Sequence, residues 1–130
     1  MATFVLNAGL DITTNRLKGA GTEPLNIGWG VGAGTTAKGD TTLFGERLVD
    51  LATAAGTDHT VGTSSRQTTT SANDTYQVVG TRTATGAGTV TNAGLFDAAS
   101  GGTLFLKGDF TGIGLNPGES IAFTINAVYS

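Results

Sequence analysis

The stretch Ser120-Ile121-Ala122-Phe123-Thr124-Ile125-Asn126-Ala127-Val128-Tyr129 decides the fold. Ile121, Phe123, Ile125, Ala127 and Tyr129 alternate with Ser120, Ala122, Thr124, Asn126 and Val128, and a period of two puts the two rows on opposite faces of a strand. Just before it, Leu115-Asn116-Pro117-Gly118-Glu119 sets Pro and Gly at the central positions of a type II turn. Working back, Thr103 to Phe110 reads as a strand, and Asp97-Ala98-Ala99-Ser100-Gly101-Gly102 as the turn before it. Thr89 to Phe96 is a further strand behind the Gly86-Ala87-Gly88 turn, and Tyr76 to Thr85 another. Short alternating strands with turn signals about every 8 to 12 residues predict an antiparallel sandwich or barrel.

The first half is less regular. Phe4, Leu6 and Ala8 alternate with Thr3, Val5 and Asn7, which predicts a first strand closed by Gly9, with Ile12 to Lys18 as its hairpin partner. In Leu25-Asn26-Ile27-Gly28-Trp29-Gly30-Val31 the large residues share one strand face, so the single Trp29 points into the core or an interface. Residues 32–40 carry loop chemistry. Helical spacing occurs once, over residues 46–55, where Leu48, Leu51, Ala52 and Ala55 fall at i, i+3, i+4 and i+7 between Gly45 and Gly56; Leu43, Leu48 and Val49 suit a strand equally well. From Thr57 to Asn73 the chain is an irregular Thr, Ser and Gly excursion with one or two weak strands.

The expected architecture is thus one all-β domain over residues 1–130. It is an antiparallel β-sandwich, jelly-roll or immunoglobulin-like, with at most one short helix and a long irregular excursion near 45–73. The 130 residues are too few for two independent cores. Twenty-one glycines and 24 threonines favour strands and tight turns, while 38% hydrophobic residues supply enough to bury and argue against disorder.

Charge excludes several functions. Charged residues are 13% of the chain and the net charge is -3, so no strong field selects a polyionic partner. Arg16, Lys18, Lys38, Arg47, Arg66, Arg82 and Lys107 are scattered, which argues against nucleic acid as a partner. Without cysteine there is neither a disulfide scaffold nor a thiolate site. No apolar run is long enough to cross a bilayer as a helix, and residues 1–7 lack the basic and apolar regions of an export signal. A protein without a membrane partner, made in a cytoplasm, is the expectation.

Asn92-Ala93-Gly94-Leu95-Phe96-Asp97-Ala98-Ala99-Ser100-Gly101-Gly102-Thr103-Leu104, followed by Leu115-Asn116-Pro117-Gly118-Glu119-Ser120-Ile121, resembles a hairpin and turn of small structural proteins of tailed bacteriophages. Ile27-Gly28-Trp29-Gly30-Val31-Gly32-Ala33-Gly34-Thr35-Thr36-Ala37 and Asp40-Thr41-Thr42-Leu43 are similar to an upstream segment of the same group. The matching stretches cover about half of the chain in the same order, whereas Gly45 to Asn73 departs from the pattern. The resemblance implies a virion component with no enzymatic activity and no cofactor: a capsid decoration, or cement, protein on the capsid surface, with a tail-fibre or baseplate component as the alternative.

A Thr, Ser, Gly and Asn surface is desolvated at little cost, and edge strands poor in Lys stay open to pairing, so a homo-oligomer, most simply a trimer, bound to the major capsid protein is expected. The predicted contact elements are residues 2–10 and 57–73, represented by Thr3, Phe4, Val5, Leu6, Val61 and Arg66.

Candidate chemistry has plainer readings beside it. Gly32-Ala33-Gly34-Thr35-Thr36-Ala37 fits a G-x-G-x-x-A phosphate loop, but no helical pattern follows and a plain glycine loop is favoured. His59, beside Asp58 and near Ser64 and Ser65, lacks the elbow of a hydrolase and reads as an exposed loop residue. Asp40, Asp50, Asp58, Asp74, Asp97 and Asp109 lack the spacing of a calcium loop, and Glu23, Glu46 and Glu119 form no recognisable glycosidase pair. Asn73-Asp74-Thr75 is a formal glycosylation sequon that reads as a turn. Trp29, Phe44, Tyr76, Phe105 and Tyr129 are either an aromatic platform for sugar or nucleic acid or, more simply, core.

Overall fold

The computed structural model describes residues 3–53 and 55–129. Its elements run β1 (Thr3–Val5), α1 (Asn7–Leu17), β2 (Asn26–Gly30), β3 (Glu46–Arg47), β4 (Thr60–Val61), β5 (Thr63–Gln67), β6 (Thr75–Thr83), β7 (Gly88–Phe96), β8 (Leu104–Leu115) and β9 (Ser120–Val128). Two antiparallel sheets pack as a sandwich: a six-stranded sheet in the order β1-β8-β7-β2-β3, with β4 also on β2, and a three-stranded sheet in the order β5-β6-β9. The hairpins β5–β6 and β7–β8 each stay within one sheet, while the connections β6 to β7 and β8 to β9 cross between sheets.

The alternation in the sequence decides which side chains meet between the sheets. Ile27, Trp29 and Leu95 of the large sheet are fully buried against Val78, Phe123 and Ala127 of the small one. Trp29 meets Phe123 edge-on at 6.5 Å between ring centroids, and Tyr76 meets Phe105 edge-on at 6.3 Å. Fully burying side chains of this size contributes about 1.5–3 kcal/mol each. Pro117-Gly118 turns the chain into β9 with Gly118 at φ +91°, as a type II turn requires at its third residue.

The second face of the large sheet is buried as well. Leu6, Leu43, Phe96 and Leu104 form a separate cluster there, with Phe4 packed against it. The small residues of β2 make this possible: with Ile27 and Trp29 turned inward, Gly28 and Gly30 face this second layer. A Cβ on Gly28 would lie 2.8 Å from the Phe96 ring and 2.9 Å from the His59 ring, and one on Gly30 would collide with the Phe44 carbonyl oxygen. Backbone therefore lies directly on backbone, and Gly32 N–H donates to Phe44 O at 2.9 Å.

One strand expectation is corrected, and one open reading is decided. Residues 7–17, read as the end of one strand and its hairpin partner, form α1. Only Gly9 and Ile12 of it are buried, one turn apart, and no apolar stripe marks it in the sequence. Thr13 and Thr14, poor helix formers, turn their hydroxyls back to Gly9 O (3.3 Å) and Leu10 O (3.1 Å). The helix ends in a Schellman motif, with Gly19 at φ +86° donating to Arg16 O and Ala20 donating to Asn15 O. Conversely, the helical spacing over 46–55, which suited a strand equally well, forms no helix among the described residues there. Glu46 and Arg47 pair with β2, and the Asp50 carboxylate accepts from Ala52 N–H (3.1 Å) and the Thr53 hydroxyl (2.8 Å), which fixes a turn. β8 is also longer than its reading, because residues 111–115 continue opposite Gly88–Val90.

In the 68–74 turn, Asn73 adopts φ +58° and the Asp74 carboxylate accepts the N–H groups of Thr69, Thr70 and Ser71, each at 2.9 Å. These donors hold the Asp74 carboxyl well below its usual 3.8. A depressed folded value contributes stability above the unfolded value that is lost as pH falls through the folded one. Thermal melts taken from pH 5 to pH 2 are expected to show a shallower loss of stability for Asp74→Ala than for the wild type, and equal slopes would contradict this. Gly30→Ala should cost at least about 1–3 kcal/mol in urea titration through overpacking. Gly114→Ala, whose added Cβ meets nothing within 4 Å, should stay within about 0.5 kcal/mol.

Candidate functional site

Two of the chain's few cations, Lys107 and Arg82, lie inside. Lys107 is fully buried on the second face of the large sheet, its Nζ donating to Asp40 Oδ2 (2.9 Å) and Thr42 O (2.8 Å) and lying 3.2 Å from the Phe44 ring centroid. The Ala37 N–H, and then the Lys107 ammonium, hold the Asp40 carboxyl below its ordinary value. Asp109 accepts from Thr36 N–H at 2.9 Å, so the glycine loop over 32–37 is tied down by a carboxylate and packed against Phe44. No helix follows that loop, and a phosphate cradle is not formed.

Arg82 is 2% exposed and lies between the sheets, 5.0 Å from the Trp29 ring centroid. Its guanidinium donates to Thr60 Oγ1 (2.9 Å), Asp58 O (2.8 Å) and Arg47 O (3.3 Å), which pins the 45–60 excursion to the core through backbone carbonyls. Burial pushes its pKa down, and the Glu46 and Asp58 carboxylates oppose that shift.

His59 corrects its sequence reading, because its side chain is fully buried rather than exposed. The ring stacks on Phe96 at 3.8 Å and 10°. Nδ1 lies 2.9 Å from Ala98 O, a pure acceptor, so Nδ1 carries hydrogen; Nε2 lies 2.8 Å from Glu46 Oε2, and one proton occupies that contact. The pair acts as a clasp between the excursion and the 97–100 turn.

The predicted contact residues divide. Leu6 is fully buried, and Phe4 and Val5 are half-buried against the two core clusters, so this end of the chain is folded onto its own sheet rather than free to reach a neighbour. Thr3 pairs with Gly108, and Ala2 lies outside the described residues. Val61, 63% exposed, and Arg66, also exposed, remain at the surface of the excursion.

Of the aromatic set, Trp29 is core and Phe44 covers Lys107, but Tyr76, Phe105 and Tyr129 come together beside α1. With Ile12, Arg16 and Pro24 they line a groove of about 510 Å³. The Tyr76 hydroxyl donates to Pro24 O (3.1 Å) and Glu23 Oε1 (3.2 Å); burial, and then the Glu23 carboxylate, raise its pKa above the usual 10.0. Tyr129 OH lies 3.4 Å from Thr13 Oγ1. The helical contributors Ile12, Thr13 and Arg16 escaped the sequence reading because α1 itself did; Lys18-Gly19 was the local stop signal available.

Among the described residues no group of three or more His, Cys, Asp or Glu could hold a metal ion, and no helix is long and apolar enough to cross a membrane. Comparison with protein-family models, with curated proteins and with solved structures found no match to this chain.

The clasp makes a discriminating prediction. Glu46→Gln retains a donor for a neutral His59 Nε2 and should cost under about 1 kcal/mol, whereas His59→Ala loses the stack and leaves a cavity and should cost about 3–5 kcal/mol in denaturant unfolding. Equal costs would refute the assigned proton arrangement.

Proposed function

We propose that this chain is a non-enzymatic structural protein of a tailed-phage virion, a capsid decoration protein that binds the outer shell of the major capsid protein lattice. The observation that carries the reading is the sparsely charged exterior. Of seven Lys and Arg residues, Arg82 and Lys107 are buried, and Glu46 and Asp40 face inward partners. The surface that remains is mostly Thr, Ser, Gly and Asn with exposed apolar side chains such as Leu10, Leu17, Val61 and Ile113, and its charges, such as Arg16, Lys38, Arg66 and Glu119, are few and scattered. Such groups are covered by protein at small desolvation cost, and large solvated ammonium and carboxylate groups do not have to be stripped of water first. The resemblance of residues 27–37, 40–43, 92–104 and 115–121 to small phage structural proteins supports the same reading. In this reading the chain is made in the host cytoplasm, self-associates, and meets the shell through the exposed part of the 57–73 excursion.

The groove lined by Tyr76, Phe105 and Tyr129 favours a second reading, a tail-fibre or baseplate component that contacts host glycans. Quantitative mass spectrometry of purified virions separates the two: hundreds of copies per particle support decoration, a few copies support the tail, and absence from the particle ends both. With purified shells, Val61→Asp combined with Arg66→Glu should weaken binding at least tenfold without changing the melting temperature by more than a few degrees. Unchanged capture by the shell would remove the excursion as the contact.

A further inference from the structure

The sandwich is open along one side. β9 is an outer strand of the small sheet, and among the described residues no backbone bond covers its edge away from β6. On the large sheet, the described part of β1 borders β8 from Leu106 to Gly108, and among the described residues nothing pairs with 109–115 on that edge. Between these two bare edges the sheets part around a cleft of about 580 Å³ walled by Phe110, Ile113, Ile121, Phe123 and Ile125.

β9 carries none of the devices that protect an edge. It holds nine residues in unbroken register with β6, from Thr83↔Ser120 to Thr75↔Val128, with no proline, no bulge and no charged side chain. The other outer strands differ: β1 has three residues, β3 and β4 have two each, and β5 carries Arg66.

We infer that two copies of this chain pair antiparallel along β9, about a two-fold axis at Thr124. The small sheets then join into one of six strands, and each copy's cleft closes against the other's. A second copy is the occupant because the strand is complementary to itself. Centred on Thr124, all nine residues overlap, uncharged side chains face uncharged side chains, and the inward row Ile121, Phe123, Ile125, Ala127 of one copy lies beside the same row of the other. A slip of one residue would set that row against Ala122, Thr124 and Asn126. The apolar rims at Phe110 and Ile113, the latter 41% exposed, leave water in the same step. This inference deepens the self-association in the proposed reading, makes it two-fold, and does not need the shell.

The full chain in native mass spectrometry and sedimentation should run as a dimer. Because the chain has no cysteine, Thr124→Cys adds a lone thiol, and facing Cα atoms of an antiparallel pair, about 4.5–5.5 Å apart, fall within disulfide reach. Oxidation should give a covalent dimer for Thr124→Cys and none for Ser65→Cys on β5, at the opposite edge of that sheet. Thr124→Lys should weaken association at least tenfold and remove hydrogen-exchange protection from the β9 amides that point away from β6, with the amides bonded to β6 and the far-UV circular dichroism unchanged. A monomer at hundreds of micromolar, a trimer mass, or cross-linking through Ser65→Cys alone would overturn the inference. A monomer still captured by shells would overturn it and leave the decoration reading standing; a dimer with no affinity for shells would do the reverse.

Discussion

The rest of the structure depends on the direct contact of the 43–45 segment with the glycine face of β2. A sheet of six strands in a chain this short needs cover on both sides, and the three-stranded sheet supplies cover on one. On the other, Gly28 and Gly30 remove the side-chain layer, so that Phe44, Phe96 and His59 lie on the strand itself. Ile27 and Trp29, which alternate with those glycines, fill the space between the sheets. One five-residue strand thus serves two cores, and this is why β2 is buried at every position.

The excursion over 45–73 looks irregular and is nonetheless anchored. Arg82 reaches three of its backbone or hydroxyl oxygens from β6, Trp29 Nε1 donates to Leu48 O at 2.9 Å, and His59 is held between Glu46 and Ala98. These are polar contacts shielded from water, where each satisfied bond is worth more and each broken one costs more than at the surface. The same arrangement withdraws charge from the exterior. Stability inside and a sparsely charged exterior are therefore two results of one distribution of side chains.

Legibility followed the range of the interactions involved. The alternation in β9, the turn at Pro117-Gly118, the strands β2, β6 and β7, and the burial of Trp29 were all readable, because strand period and turn chemistry are local, whereas Gly86 lies in a bridge with Asp50 and Gly88 opens β7 instead of forming a turn. α1 was not, since its docking rests on Gly9 lying against the Phe105 backbone, a contact between residues nearly a hundred positions apart, while its own threonines argue for a strand. The absence of a helix over 46–55 has the same origin: pairing with β2 and the Asp50 turn override a weak apolar spacing.

The candidate surfaces divide along the same line. Composition alone determined that the chain is a strand-rich, cysteine-free, weakly charged domain, because those properties do not depend on which residues meet. Tertiary structure decided that His59 is a buried clasp, that Leu6 is core, that Tyr76, Phe105 and Tyr129 share a groove, and that β8 and β9 leave one side of the sandwich open. Each of these is a relation between segments distant in sequence, set by sheet order and by which strand lies outermost, and no local pattern of residues encodes that order.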